Sequence, residues 1–110
     1  KEVIGHLSDC ERIGAYRALR FSRNDKTVLP SFESDDYITY AEFDKRIWQG
    51  LIHEFETVRA ATISLYKSLD ETAWTRQGVA NKDAVSVRAL AYISAGHELH
   101  HVKLIKELYL

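Results

Sequence analysis

The sequence holds a single cysteine, a single proline and a formal net charge of only −1. A lone Cys10 excludes an internal disulfide and makes a reducing cytoplasm the natural setting. So small a net charge, with no basic stripe, removes the electrostatic pull that nucleic acid or a membrane surface would exert. No apolar run approaches the roughly 18 residues of a transmembrane span, and no stretch resembles a signal peptide. No strand pattern competes with the helical spacing, and there is no internal repeat or low-complexity tract. What is present is 110 residues at 45% hydrophobic and 28% charged. That composition reads as one soluble domain, residues 1–110, long enough for a single core.

Apolar spacing predicts three helices. The first covers about residues 2–22, with Val3, Ile4, Leu7, Cys10, Ile13, Ala18 and Phe21 near one face. A linker over 24–36 carries Pro30. The second helix is predicted over 40–69, where Ile47, Leu51, Phe55, Val58, Thr62, Leu65 and Leu69 recur in steps of four and three. A further linker, 70–85, contains Trp74, Gly78 and Asn81. Ser86 is a plausible N-cap for the final helix, predicted to about residue 108 with Leu90, Ile93, Leu104, Ile105 and Leu108 on its apolar face. The expected fold is all-α, an antiparallel up-down helical bundle with long linkers. Helical spacing begins at once in residues 1–5 with no capping residue before it, so the chain is expected to start at or inside a helix, with something upstream absent.

Within the last helix stands His97-Glu98-Leu99-His100-His101, three of the five histidines. His97 and His101 are four residues apart, so on a helix their side chains differ by about 40° and lie about 6 Å apart along the axis. Two imidazoles so placed can grip one divalent ion. Both fall on the apolar stripe between Ile93 and Leu104, where an unpartnered imidazole would be costly. His6 shares the apolar face of the first helix, three after Val3 and four before Cys10. Three imidazole nitrogens with an open coordination position is the pattern of a catalytic metal, whereas hydrogen-bonded core or surface histidines are the bland alternative.

Two better-known motifs overlap this run. His97-Glu98-x-x-His101 matches the zinc-protease helix with Glu98 as general base, but no histidine follows His101, Leu104 stands where the extended pattern wants glycine, and no sheet is expected to present a peptide. Glu98-x-x-His101 is half of a di-iron motif whose other half the chain lacks. Both are set aside. His100 reads as a helix-face residue and His53 as solvent-exposed. Cys10 could lie near the site, although a buried small hydrophobe is its commoner role. Asp9 and Glu11 are placed to hydrogen-bond a metal-bound imidazole, or equally to pair with Arg12 or Arg17. Trp48, Trp74, Tyr16, Tyr37, Tyr66, Tyr92 and Tyr109 are read as core aromatics before pocket lining.

Glu2-Val3-Ile4-Gly5-His6-Leu7, Asp9-x-Glu11-Arg12 and Arg17-x-Leu19-Arg20-Phe21 together resemble the second helix of the DinB/YfiT-like superfamily. Val58-Arg59-Ala60-Ala61-Thr62, the Gly78-containing linker, Ser86-Val87-Arg88-Ala89-Leu90 and Gly96-His97-Glu98-Leu99-His100-His101 are similar to its later segments. The resemblance implies a metal-binding four-helix bundle, often a homodimer, with His6, His97 and His101 as metal ligands. It further implies Zn²⁺, Ni²⁺ or a similar divalent ion with open water positions. Thiol S-transferases, a maleylpyruvate isomerase and metal-dependent hydrolases occur among such proteins. The expected partner is therefore a small-molecule electrophile, with a low-molecular-weight thiol as co-substrate and neither nucleic acid nor membrane. S-transfer ranks first and hydrolysis second; a non-catalytic, stress-related metal-binding bundle is the rival. On this resemblance the given sequence is expected to lack the family's first helix, which is removed, disordered or supplied by another chain.

Overall fold

The computed structural model describes the backbone of residues 1–109 and the side chains of residues 1–99. The first helix, α1 (Glu2–Ser22), follows the predicted range and buries Leu7, Ala18 and Phe21 together with the polar Ser8, Glu11 and Ser22. After it the chain turns at Asn24, which has a left-handed φ of 61°. Asp25 braces the turn by accepting from Arg20 Nε at 2.7 Å and from the Thr27 amide at 2.9 Å.

The helix predicted over 40–69 is broken into three pieces. α2 (Ser34–Ala41) ends at Glu42, whose φ of 52° no α-helix tolerates. A 3-10 turn, Phe43–Lys45, follows, and α3 (Trp48–Lys67) begins only after Arg46 and Ile47 have run extended. The break serves Phe43. Its ring is buried against α1 at Gly5, where a Cβ would collide with ring carbons. Helical periodicity shows that Ile47 to Leu69 share a stripe, but not that Phe43 must leave the helix to reach α1. Ile47 itself ends exposed.

α4 (Glu71–Thr75) is a short turn of helix whose Ala73 amide donates to the Asp70 carboxylate at 2.8 Å. Next comes an antiparallel hairpin that the periodicity does not announce, β1 (Gln77–Ala80) and β2 (Asp83–Ser86), in register from Gln77↔Ser86 to Ala80↔Asp83. Its two turn residues, Asn81 and Lys82, have φ of 53° and 69°, as the tightest hairpin loops require. Four-residue strands are too short to show alternation, and Asn-Lys is a weaker turn signal than Asn-Gly. Leu29 extends the pairing, its amide donating to Val79 O at 2.9 Å. Ser86 caps α5 (Val87–Tyr109) as predicted, its Oγ accepting from the Ala89 amide at 3.0 Å.

The fold is mostly helical, with the hairpin as its one addition to the all-α expectation. Both α3 and α5 pack on α1. His6 meets His97 and Gly14 faces Ser94, so α5 runs antiparallel to α1. α3 runs the other way. Arg12 reaches Glu54 near its start, while Leu65 near its end shares a pocket wall with Tyr16 and Leu19 and, with Leu69, packs on the core cluster that holds Ala18 and Phe21. α1 and α3 are therefore parallel, which corrects the up-down expectation. The connection through 23–47 is long enough to carry the chain back along the bundle before α3 begins, as parallel neighbours need. The main core sits where α1 ends, formed by Ala18, Phe21, Leu29, Ala80, Val87 and Leu90 with Leu65, Tyr66 and Trp74 around it.

Candidate metal centre

At the opposite end of the α1–α5 contact, His6 and His97 point at each other. Their Nε2 atoms are 3.3 Å apart and the rings meet edge to face, at 80°. Cys10, one turn on from His6, brings Sγ to 3.6 Å from His6 Nδ1 and 3.7 Å from Nε2. One ligand atom from each of His6, Cys10 and His97 falls within 4.8 Å of the other two. Around a tetrahedral Zn²⁺ with bonds of about 2.05 Å to nitrogen and about 2.3 Å to sulfur, two nitrogens stand about 3.3 Å apart and a nitrogen and a sulfur about 3.6 Å. The His6–His97 and His6–Cys10 spacings match these values, and the mixed imidazole and thiol set suits Zn²⁺.

The predicted ligands divide accordingly. His6 and His97 come together; the His101 side chain lies outside the described residues, as does that of His100. Cys10 joins the cluster, a place the reading as a buried hydrophobe does not give it. The signal for it is present in the sequence, because His6 and Cys10 repeat the four-residue spacing of His97 and His101. Burial, and secondarily Asp9, push the Cys10 thiol above its ordinary range. Burial also raises Asp9, with Glu54 adding to it.

Glu11 pairs with neither Arg12 nor Arg17. Its carboxylate, 5% exposed, takes Arg59 Nε at 2.9 and 3.0 Å and Nη2 at 2.5 Å. The same Arg59 Nη2 pairs with Glu98, and the guanidinium lies over the Phe55 ring. Glu98 is thus engaged by α3 and not poised as a free base. Arg59 ties α1, α3 and α5 together one residue from His97. No sequence pattern marks it, since the two carboxylates are 48 and 39 positions away and meet it only in the fold. Of the remaining candidates, His53 is exposed as expected. Tyr66 stacks on Trp74 at the core, whereas Trp48, Tyr16, Tyr37 and Tyr92 are exposed and Tyr109 lies outside the described side chains.

A cavity of about 250 Å³ opens beside the cluster between α1, α3 and α5, with Cys10 and His97 in its wall. Leu7, Ile13, Phe55 and Leu90 give it an apolar wall, the Glu11–Arg59–Glu98 group a charged one, and Arg17 and Phe32 line it as well. The sequence profile of the DinB superfamily matches residues 1–105. The chain belongs to the DinB superfamily. Neither the curated proteins nor the solved structures compared with this DinB-superfamily chain give a match. Among the described residues no helix is long and apolar enough to cross a membrane.

Proposed function

We propose that this DinB-superfamily protein holds a divalent metal ion, Zn²⁺ or Ni²⁺ by preference, on His6, His97 and Cys10, with His101 as the further imidazole of the sequence pattern. It acts on a small electrophile, by thiol S-transfer first and hydrolysis second. The observation carrying this reading is the 3.3 Å approach of His6 Nε2 to His97 Nε2 beside Cys10 Sγ, with His97 and Cys10 on the wall of a cavity. When bound, such an ion brings a coordinated thiol or water close to neutral pKa and leaves it nucleophilic. The chain's own part is to hold the donors and enclose the electrophile. α1 and α5 fix the imidazoles, the Arg59 bridge to Glu11 and Glu98 locks the two helices in register, and apolar side chains line the adjoining space.

Cys10 also favours a second reading. Should His101 complete the set, four protein ligands close the sphere, and a closed sphere belongs to a non-catalytic metal-binding bundle. The experiment is elemental analysis and zinc titration of protein purified without a histidine tag, alongside His6→Ala and His97→Ala. One equivalent in the wild type, lost in both variants, is expected. Saturating zinc at a hundred times Kd should raise wild-type stability by about 2.7 kcal/mol. Sub-stoichiometric metal in the wild type after supplementation overturns the proposal. X-ray absorption then counts ligands: a water oxygen or added thiol in the sphere supports catalysis, and four protein donors support the bundle.

A further inference from the structure

Arg17 differs from Arg59, the other arginine lining the cavity. Arg59 is consumed by two carboxylates, whereas Arg17 makes no ion pair among the described residues. Its Nη2 donates to the Pro30 carbonyl at 3.1 Å and its guanidinium lies over Phe32, 5.6 Å from the ring centre. A guanidinium has five N–H donors, so this fixed, planar group keeps donors to spare at the end of the cavity. Arg17 follows Cys10 by seven residues on α1, two turns and about 10 Å along the axis. Between them the wall is Ile13 and Gly14 of α1 with Leu90 and Ile93 of α5. The cavity is therefore polarised, with a cation at one end, an apolar middle and metal-ligating donors at the other.

We propose that this cavity takes a small amphipathic carboxylate, its anionic head on Arg17, its apolar body along Ile13 and Leu90, and its far end at Cys10 and His97. At about 250 Å³ it is smaller than the roughly 300 Å³ at which pockets for drug-sized ligands begin, so one short molecule fills it. Glu11 and Glu98 oppose the reverse orientation, since a carboxylate deep in the cavity would lie beside theirs. The far-end assignment rests on the metal reading above; the head-group assignment does not.

The test is calorimetric titration of octanoate and of octanamide into the wild-type chain, Arg17→Gln and Arg17→Lys, each with and without one equivalent of Zn²⁺. Octanoate should bind the wild type at least about tenfold more tightly than octanamide, as expected for one charge-assisted hydrogen-bonded pair. The preference should survive in Arg17→Lys and vanish in Arg17→Gln, with circular-dichroism melts unchanged. Octanoate binding that ignores Arg17→Gln, or no binding to the wild type, overturns the proposal. Zinc uptake without an Arg17-dependent carboxylate overturns it while leaving the metal centre. Arg17-dependent binding to a chain that takes no zinc supports the head-group site and overturns the metal centre instead. In zinc-loaded protein ω-mercapto-octanoate should bind more tightly than octanoate, and equal affinity overturns the orientation.

Discussion

Arg59 grips Glu11 across 48 positions of sequence, with Nε and Nη2 both on one buried carboxylate. The pair, with Glu98, is the polar tie between the helix that carries His6 and the helix that carries His97. Replacing Arg59 by Met strands a carboxylate that is 5% exposed. The expected loss is about 2–3 kcal/mol, the scale of hydrogen bonds to charged groups. It falls short of the 3–5 kcal/mol or so of fully buried pairs because Arg59 keeps some contact with water. Urea unfolding measures it. Glu11→Gln should cost less, and a Met variant as stable as wild type would remove the tie from the account.

Tyr66 predicts a pH dependence. Burial, with Glu11 adding, pushes its hydroxyl up to about 12, against about 10 in an unfolded chain. The folded state therefore favours the neutral phenol, and this contribution is whole below pH 10. As pH rises through about 10 to 12 the unfolded chain sheds its proton first and stability falls. Tyr66→Phe should flatten that slope. It should also gain about 1 kcal/mol at neutral pH, because the buried hydroxyl has no hydrogen-bond partner among the described residues. Denaturant midpoints across the window decide it, and an unchanged slope in the variant argues against Tyr66 as the source.

Cys10 predicts a spectrum. Cobalt in the site should show a thiolate-to-metal charge-transfer band that Cys10→Ala abolishes. Zinc affinity should fall at least tenfold, about 1.4 kcal/mol. An unaltered spectrum would leave the site to nitrogen donors alone.

The hairpin predicts opposite effects at two of its positions. Gly78 lies against the ring of the fully buried Phe21, so the Cβ of Gly78→Ala has no room and should cost about 1–3 kcal/mol. Lys82, held at a φ of 69°, should gain about 1 kcal/mol on becoming Gly. Thermal melts of both variants check the pair.

Ser86 as a cap, α1 over its full length, and the stripe through Leu51, Val58 and Thr62 were legible because caps and helical periods are local. The hairpin, the break at Glu42 and the direction of α3 were not. Each depends on what lies across the interface: Phe21 under Gly78, Phe43 against Gly5, Leu65 beside Tyr16 and Leu19. The site divides in the same way. His6 and His97 could be picked out because both sit on apolar stripes, where an imidazole needs a partner. Cys10 carried the right spacing but the commoner reading of its residue type prevailed, and Arg59 had no local signature at all.

The sequence by itself determined the helical class, the two histidine-bearing faces and the family, since these rest on period and residue type along one helix. Only the tertiary structure decided that α3 runs parallel to α1, that Cys10 stands with the histidines, and that Arg59 is spent on carboxylates while Arg17 meets none among the described residues. Distances of a few ångströms between residues tens of positions apart are set by packing, and packing is a property of surfaces in contact rather than of any single stretch of chain.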